Sequence, residues 1–145
     1  MRIAVKKLNN LAKIPTQGSN WAAGVDLYAA TDYDIYIEPH TTVKIGTGLA
    51  MAIPEMKFGA IFARSGIATQ QGLRPANCVG VIDSDYRGEV IVALHNDTDI
   101  EQLVPAGSRI AQLVILDYNK VYFNEVNELD ATSRGDGGFG STGSN

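Results

Sequence analysis

Apolar and polar positions alternate in short bursts along this chain. Arg2 to Leu8 sets Ile3, Val5 and Lys7 on one side and reads as a strand. Pro15 to Ser19 is loop. Trp21 to Ala30 (WAAGVDLYAA) is short and apolar, with Asp26 in its middle. Tyr33 to Glu38 alternates until Pro39 breaks it, and Thr41 to Ile53 is β-branched, interrupted by Gly46 and Gly48. Lys57 to Ala63 follows Pro54. Arg64 to Gly72 (RSGIATQQG) lacks alternation and has room for one helical turn. Gly80 to Val90 (GVIDSDYRGEV), with Val92 and Leu94 beyond it, sets two strand-like runs around a polar, Gly-containing segment and predicts a β-hairpin with a long loop. Ile100 to Val104, Ser108 to Leu116 and Val121 to Val126 complete the series.

Such runs, spaced by turn signals about every ten residues, mark a sandwich or barrel. No long window shows helical spacing. The expectation is an all-β fold with at most one short helix, between Arg64 and Leu73. The pattern fails only at the end. Residues 131–145 (ATSRGDGGFGSTGSN) are Gly/Ser/Thr-rich and nearly without apolar anchors, so residues 1–130 are expected to form the body and 131–145 a flexible arm.

Composition narrows the class. A chain of 145 residues with 45% hydrophobic and 19% charged residues is one globular domain, not a disordered segment. A net charge of -4 argues against stable, sequence-independent nucleic-acid binding. The lone Cys78 excludes an internal disulfide and a cysteine metal cluster; its plainest role is a small buried hydrophobe beside the hairpin. No apolar run spans a membrane and Met1-Arg2 leads into a strand pattern, so a soluble, unsecreted protein of a reducing compartment is expected. Asn96-Asp97-Thr98 matches a glycosylation sequon but reads as a turn.

The chemistry-bearing residues are few. Asp83 interrupts the hairpin; alone, it and Ser84 read as ordinary turn residues. Gly135, Gly137 and Gly140 form a GxGxxG, but no strand precedes it and no helix can follow, so the dinucleotide reading fails. Arg134, the glycines, Ser141 and Thr142 do suit phosphate oxygens, and Phe139, without a core to join, suits stacking on a base. Arg64-Ser65-Gly66 leaves a strand where backbone N–H groups can meet an anion; alone it is an ordinary strand exit. Asp26 is either a turn residue or a carboxylate near a cation. Gln112, mid-strand, faces outward or has a specific partner. His40 and His95 lack metal-ligand spacing.

Taken in order, AGVDL (Ala23–Leu27), RSG (Arg64–Gly66), GVIDSDYRG (Gly80–Gly88), RIAQ (Arg109–Gln112) and RGDGGFGSTG (Arg134–Gly143) resemble the five motifs of the homotrimeric dUTP pyrophosphatases, or dUTPases. Asp136 and Arg87 fall where the family varies. The resemblance implies a jelly-roll-like β-barrel, a homotrimer with active sites shared between subunits, and an arm that closes a neighbour's site. It implies Mg²⁺-assisted hydrolysis of dUTP to dUMP and pyrophosphate in the cytoplasm, or in the nucleus or host cytoplasm of a eukaryotic or viral source. That activity keeps uracil out of DNA and supplies dUMP for thymidylate synthesis.

Carried over by residue, Asp83 activates the water that attacks the α-phosphorus. Tyr86 packs under the deoxyribose. Asn77 and the backbone of Val81, Ile82 and Ile91 read uracil. Arg64, Ser65, Gly66 and Gln112 hold phosphate oxygens, joined by Arg134, Gly140, Ser141 and Thr142, while Phe139 stacks on the base. Asp26 meets Mg²⁺ through water, and Arg109 is structural or at the subunit interface. Uracil's N3–H and O4 would pair with a fixed backbone that cytosine leaves unsatisfied. Two rivals stand beside this reading. A dCTP deaminase of the same fold would need a glutamate about ten residues past Asp83, counted along a hairpin strand, where the chain has Ala93. A non-catalytic β-sandwich binding module would need neither Asp83 nor an ordered tail.

Overall fold

The computed structural model describes residues 1–138. In chain order the elements are β1 (Ala4–Lys7), β2 (Thr16–Gln17), β3 (Val25–Tyr28), β4 (Ile35–Ile37), β5 (Thr42–Gly46), β6 (Leu49–Ala52), β7 (Lys57–Phe62), α1 (Ser65–Gln70), β8 (Leu73–Pro75), β9 (Gly80–Ile82), β10 (Ile91–Asn96), β11 (Gln102–Val104) and β12 (Arg109–Asp117). The fold is all-β with one short helix, and the helix lies inside the window that the sequence reserved for it.

The largest sheet runs β2-β3-β12-β7-β9. A second runs β5-β10-β8, and β1-β6 and β11-β4 are two-stranded. Alternation drives this arrangement. Along β10, Val92, Leu94 and Asn96 are buried while Ile91 is exposed, the period that gives a strand one core face. Leu27, Ile37, Leu49, Leu73, Leu94 and Ile110 are fully buried and belong to one hydrophobic cluster. Asn96 is buried among them. Its amide donates to the carbonyls of Ile37 (2.9 Å) and Ile100 (2.7 Å), and its oxygen accepts from the Thr98 N–H and hydroxyl. The sequon is thus a turn whose asparagine is an internal strut.

Four local expectations are corrected. The runs Gly80–Ile82 and Val90–Leu94 do not pair as a hairpin: β9 pairs with β7 and β10 with β5 and β8. The connecting loop carries the chain from one sheet to the other, because the backbone of Val90 bonds to Leu49 and Thr47 on the β5–β6 turn. Val121–Val126 forms no strand. It pairs with no strand edge, and an unpaired strand leaves its backbone groups unsatisfied. Leu73–Pro75 is a strand where none was expected; it lies at a sheet edge, where proline's missing N–H is tolerated. Cys78 is exposed rather than buried: it sits at a φ of 62° in a surface turn closed on Pro75, with its sulfur 3.8 Å from Arg74 Nη1. No helix among the described residues is long and apolar enough to cross a membrane.

Candidate active site

The expected site residues line two concave sites with separate linings. The first, about 140 Å³, opens between β9 and the start of β10, with Asn77, Gly80, Val81, Ile82, Ile91 and Ala93 in its wall. β9 ends the five-stranded sheet, so one edge bonds to β7 (Ile82 opposite Gly59, Val81 opposite Ala60) and the other has no ladder partner. An unpaired strand edge presents alternating N–H and C=O groups at fixed spacing. Gly80 lets β9 lie close to β7: a Cβ there would stand 3.1 Å from the Cβ of Ile61.

Asp83 follows β9 directly and is exposed. Its carbonyl accepts from the Tyr86 N–H at 3.2 Å, closing a turn. The Tyr86 hydroxyl donates to the carbonyl of Glu89 at 3.0 Å. Arg87 is used within the loop, donating to the carbonyls of Ser84 (2.6 Å) and Tyr86 (2.9 Å).

The second site, about 180 Å³, lies where β3, β12 and the exit of β7 run side by side. Gln112 is opposite Asp26 on one neighbour and Phe62 on the other. The Asp26 side chain, only 12% exposed, is held by two guanidiniums: Arg64 Nε donates to one carboxylate oxygen at 2.7 Å and Arg109 Nη1 to the other at 3.2 Å. Two arginines against one carboxylate leave a local surplus of positive charge in an acidic protein, which suits an anionic ligand. Gln112 Nε2 donates to the Ala63 carbonyl at 2.9 Å. Its Oε1 lies 2.7 Å from where a Cβ on Gly24 would stand, so the glycine is what admits the glutamine. Ser65 lines the site and opens α1, whose first-turn N–H groups lack intrahelical acceptors. A Cβ on Gly66 would meet nothing within 4 Å, so packing inside this chain does not demand that glycine.

The structure therefore sorts the expected site residues into two groups. Asn77, Val81, Ile82 and Ile91 line the first cavity, with Asp83 and Tyr86 on the adjoining loop. Asp26, Arg64, Ser65 and Gln112 line the second, beside Gly66. Arg134 lines neither; its Nε donates to the Gly137 carbonyl at 2.8 Å. Phe139, Gly140, Ser141 and Thr142 lie outside the described residues. Sequence reasoning left Arg109 without a ligand role and overlooked Gly24, Gly88 and Glu89. The glycines and Arg109 sat inside the quoted motifs, but only their contacts reveal what they support. Among the described residues no three His, Cys, Asp or Glu side chains converge as a metal site.

Comparison with known proteins decides the family. The family model described as dUTPase matches residues 10–143. The chain belongs to the dUTPase family. Deoxyuridine 5'-triphosphate nucleotidohydrolase of Desulfitobacterium hafniense (strain Y51) is 49% identical over 144 residues, covering 99% of this chain and 95% of the relative. The enzyme of that name from Syntrophotalea carbinolica is 43% identical over 141 residues, 97% of this chain and 96% of its own. Among solved structures, a mutant dUTPase of Staphylococcus bacteriophage 80alpha with dUpNHpp superposes with a TM-score of 0.89 at 27% identity, covering 99% of both chains. A dUTPase from phage phi11 of S. aureus, solved to detail the coordination of a structural Mg(II) ion, shares the fold with a TM-score of 0.79 at 23% identity, over 88% of this chain and 98% of its own. Family membership bears out the expected hydrolase of nucleotide metabolism and the jelly-roll-like β fold. It disfavours the deaminase and the non-catalytic module, in keeping with the methyl group of Ala93 at the cavity wall.

Proposed function

We propose that the protein hydrolyses dUTP to dUMP and pyrophosphate at sites assembled between copies of a homotrimer. The observation that carries this is an unpaired strand edge opening on a base-sized cavity and running straight into Asp83. The free N–H and C=O groups of β9, with Asn77 and Ile91 opposite, pair with the uracil edge. Cytosine would leave a buried donor and acceptor unmatched, and the methyl of thymine would collide with the wall. Tyr86 packs under the deoxyribose and excludes a 2′-hydroxyl. Asp83 accepts a proton from water as its oxygen bonds to the α-phosphorus and the bond to the bridging oxygen of pyrophosphate breaks.

Arg64, Ser65, Gly66 and Gln112 hold the phosphates, with Asp26 keeping Arg64 and Arg109 in place. That Gly66 has no steric reason within the chain supports close approach of a phosphate to its backbone. Arg134, Phe139, Gly140, Ser141 and Thr142 belong to the arm, residues 131–145, which covers the base and the β- and γ-phosphates on a neighbouring subunit; residues 1–130 form the body. The separation of the cradle from the arginine cluster supports a shared site, as do the exposed Tyr122 and Phe123, which invite burial by a second copy.

Mg²⁺ fits this donor set only as an ion carried by the nucleotide. The described residues offer no cage of carboxylates, both Asp26 oxygens already accept from guanidiniums, and their remaining lone pairs suit bound water. The ion would neutralise phosphate charge and fix the phosphate conformation. The cytoplasm, rich in nucleotides and reducing toward the exposed Cys78, is the compartment that suits this chemistry.

The test is pyrophosphate release from dUTP, dTTP, dCTP and UTP by the parent and by Asp83→Asn. The parent should act on dUTP alone. Asp83→Asn should keep nucleotide binding and lose about 10²–10⁴ in rate. A variant that turns over like the parent removes Asp83 from the reaction.

A further inference from the structure

The loop that carries Asp83 and Tyr86 is fastened at its far end by contacts that no motif role explains. Glu89 Oε1 accepts from the Gly48 N–H at 2.7 Å. Gly48 sits at a φ of 65°, a left-handed turn that glycine adopts without strain. The Glu89 carboxylate lies over Gly46, its Cδ 3.2 Å from where a Cβ would stand, so any side chain at position 46 would push it out. Between these glycines the buried Thr47 donates to the Val90 carbonyl through both its hydroxyl (2.7 Å) and its N–H (3.2 Å). The Val90 N–H returns a bond to the Leu49 carbonyl at 2.8 Å. Glu89 and Val90 are thus locked on the β5–β6 turn, and the carboxylate makes the charge-assisted bond of the set.

That lock reaches Tyr86. Its hydroxyl is anchored on the Glu89 carbonyl, and its ring lies over Gly88, with Cζ 2.6 Å and Cε2 3.0 Å from where a Cβ on Gly88 would stand. Gly88 does not have a left-handed φ. Side-chain space, not backbone freedom, is therefore what excludes alanine. The same loop holds Asp83 through the Tyr86 N–H.

We propose that Gly88 and Glu89 are positioning residues for the reaction: Glu89 clamps the loop to the β5–β6 turn, Gly88 leaves the slot that the Tyr86 ring fills, and together they set the preference for dUTP over UTP. The proposal rests on the reading that Tyr86 packs under the sugar. Neither residue touches substrate; Gly88 acts through the height and tilt of the ring, and Glu89 through the loop that carries both the ring and Asp83.

The experiment measures kcat and KM for dUTP and UTP, with melting temperature as a check on folding. Gly88→Ala should lower the dUTP:UTP ratio of kcat/KM by about 10- to 100-fold, the scale of an ångström-sized misplacement, while melting close to the parent. Glu89→Ala should lower kcat for dUTP as well as the ratio, because Asp83 moves with the loop. Glu89→Gln should recover most of both, since its amide oxygen still accepts from Gly48. A folded Gly88→Ala with the parent's ratio, or Glu89→Ala with the parent's kinetics, overturns the proposal. Should Gly88→Ala not fold, Tyr86→Phe replaces it. That variant removes only the anchoring hydroxyl and should lower the ratio about 3- to 10-fold, the worth of one hydrogen bond; an unchanged ratio overturns the proposal. Tyr86→Ala separates the two levels of argument. An unchanged ratio there sinks the sugar-packing reading itself, whereas a collapse there with Gly88→Ala intact sinks the clamp alone.

Discussion

The cradle around β9 and β10 and the segment from Tyr118 to Gly138 are built on opposite plans. The cradle is bonded on every side that does not face its cavity: β9 to β7, β10 to β5 and β8, and the loop to the β5–β6 turn. The C-terminal segment meets the body through the Tyr118 N–H on the Met56 carbonyl (3.1 Å) and an edge contact of Tyr118 with Phe58. Beyond that its bonds are local, such as the Gly137 N–H on the Arg134 carbonyl. Yet it carries Tyr122, Phe123 and Leu129, exposed at 82%, 96% and 86%. Under the proposed function, a base would have to be read by donors that do not move, which suits a sheet bonded to the core. A cover that had to come and go would keep its contacts weak until a ligand or a second subunit supplied them.

Cutting the chain before Arg134 gives the largest expected contrast. The truncated protein should melt with the parent, because none of the described residues beyond 133 belongs to the core cluster, yet turn over dUTP about 10²-fold more slowly, the cost of losing substrate alignment. Steady-state kinetics beside a thermal melt reads both quantities. Near-parent turnover would show that the arm is dispensable, and a large fall in melting temperature would show that it belongs to the body. Leu94→Ala inverts the experiment. Leu94 is fully buried under the cradle, so the cavity it leaves should cost about 2–5 kcal/mol, roughly 5–15 °C in melting temperature. Activity below the transition should fall less than in the truncation. If Leu94→Ala were to spare stability but abolish activity, the cradle would not be the core-bonded element described above.

This contrast also explains what could be read in advance. The strand β10 was legible because it buries one face, and burial leaves a period-2 trace at Val92, Leu94 and Asn96. The helix was legible from its missing alternation. Partner choice was not: Gly80–Ile82 and Val90–Leu94 look alike as strands, and only the Val90 bonds to Thr47 and Leu49 send them to different sheets. Val121–Val126 has a strand's alternation without a strand's partner. At the site, Asp83 and Arg64 stood out through the motifs they sit in. Glu89 did not, because its role depends on two glycines some forty positions earlier in the chain. Arg109 was legible as a supporting cation but not as one of two clasping Asp26.

The smallest expected effect lies away from both regions, where β4 pairs with β11. Glu101 has its carboxyl pushed above its ordinary 4.5, first by partial loss of solvent and then by the neighbouring Glu38 carboxylate. A carboxyl raised in the folded state favours folding while it is protonated, and that contribution is lost as pH rises through the raised value. At neutral pH the parent therefore carries a small repulsion that Glu101→Gln removes. The variant should melt slightly above the parent at pH 7, and the gap should close as pH falls below 4.5. The test is a pair of melts across that range, and a gap that widened on acidification would reverse the sign assigned to this pair. Turnover should be unaffected, since Glu101 itself lines neither the cradle nor the site around Asp26. A change in kcat would mean that the edge strand communicates with the site, and the division between a rigid reader and an independent periphery would have to be redrawn there.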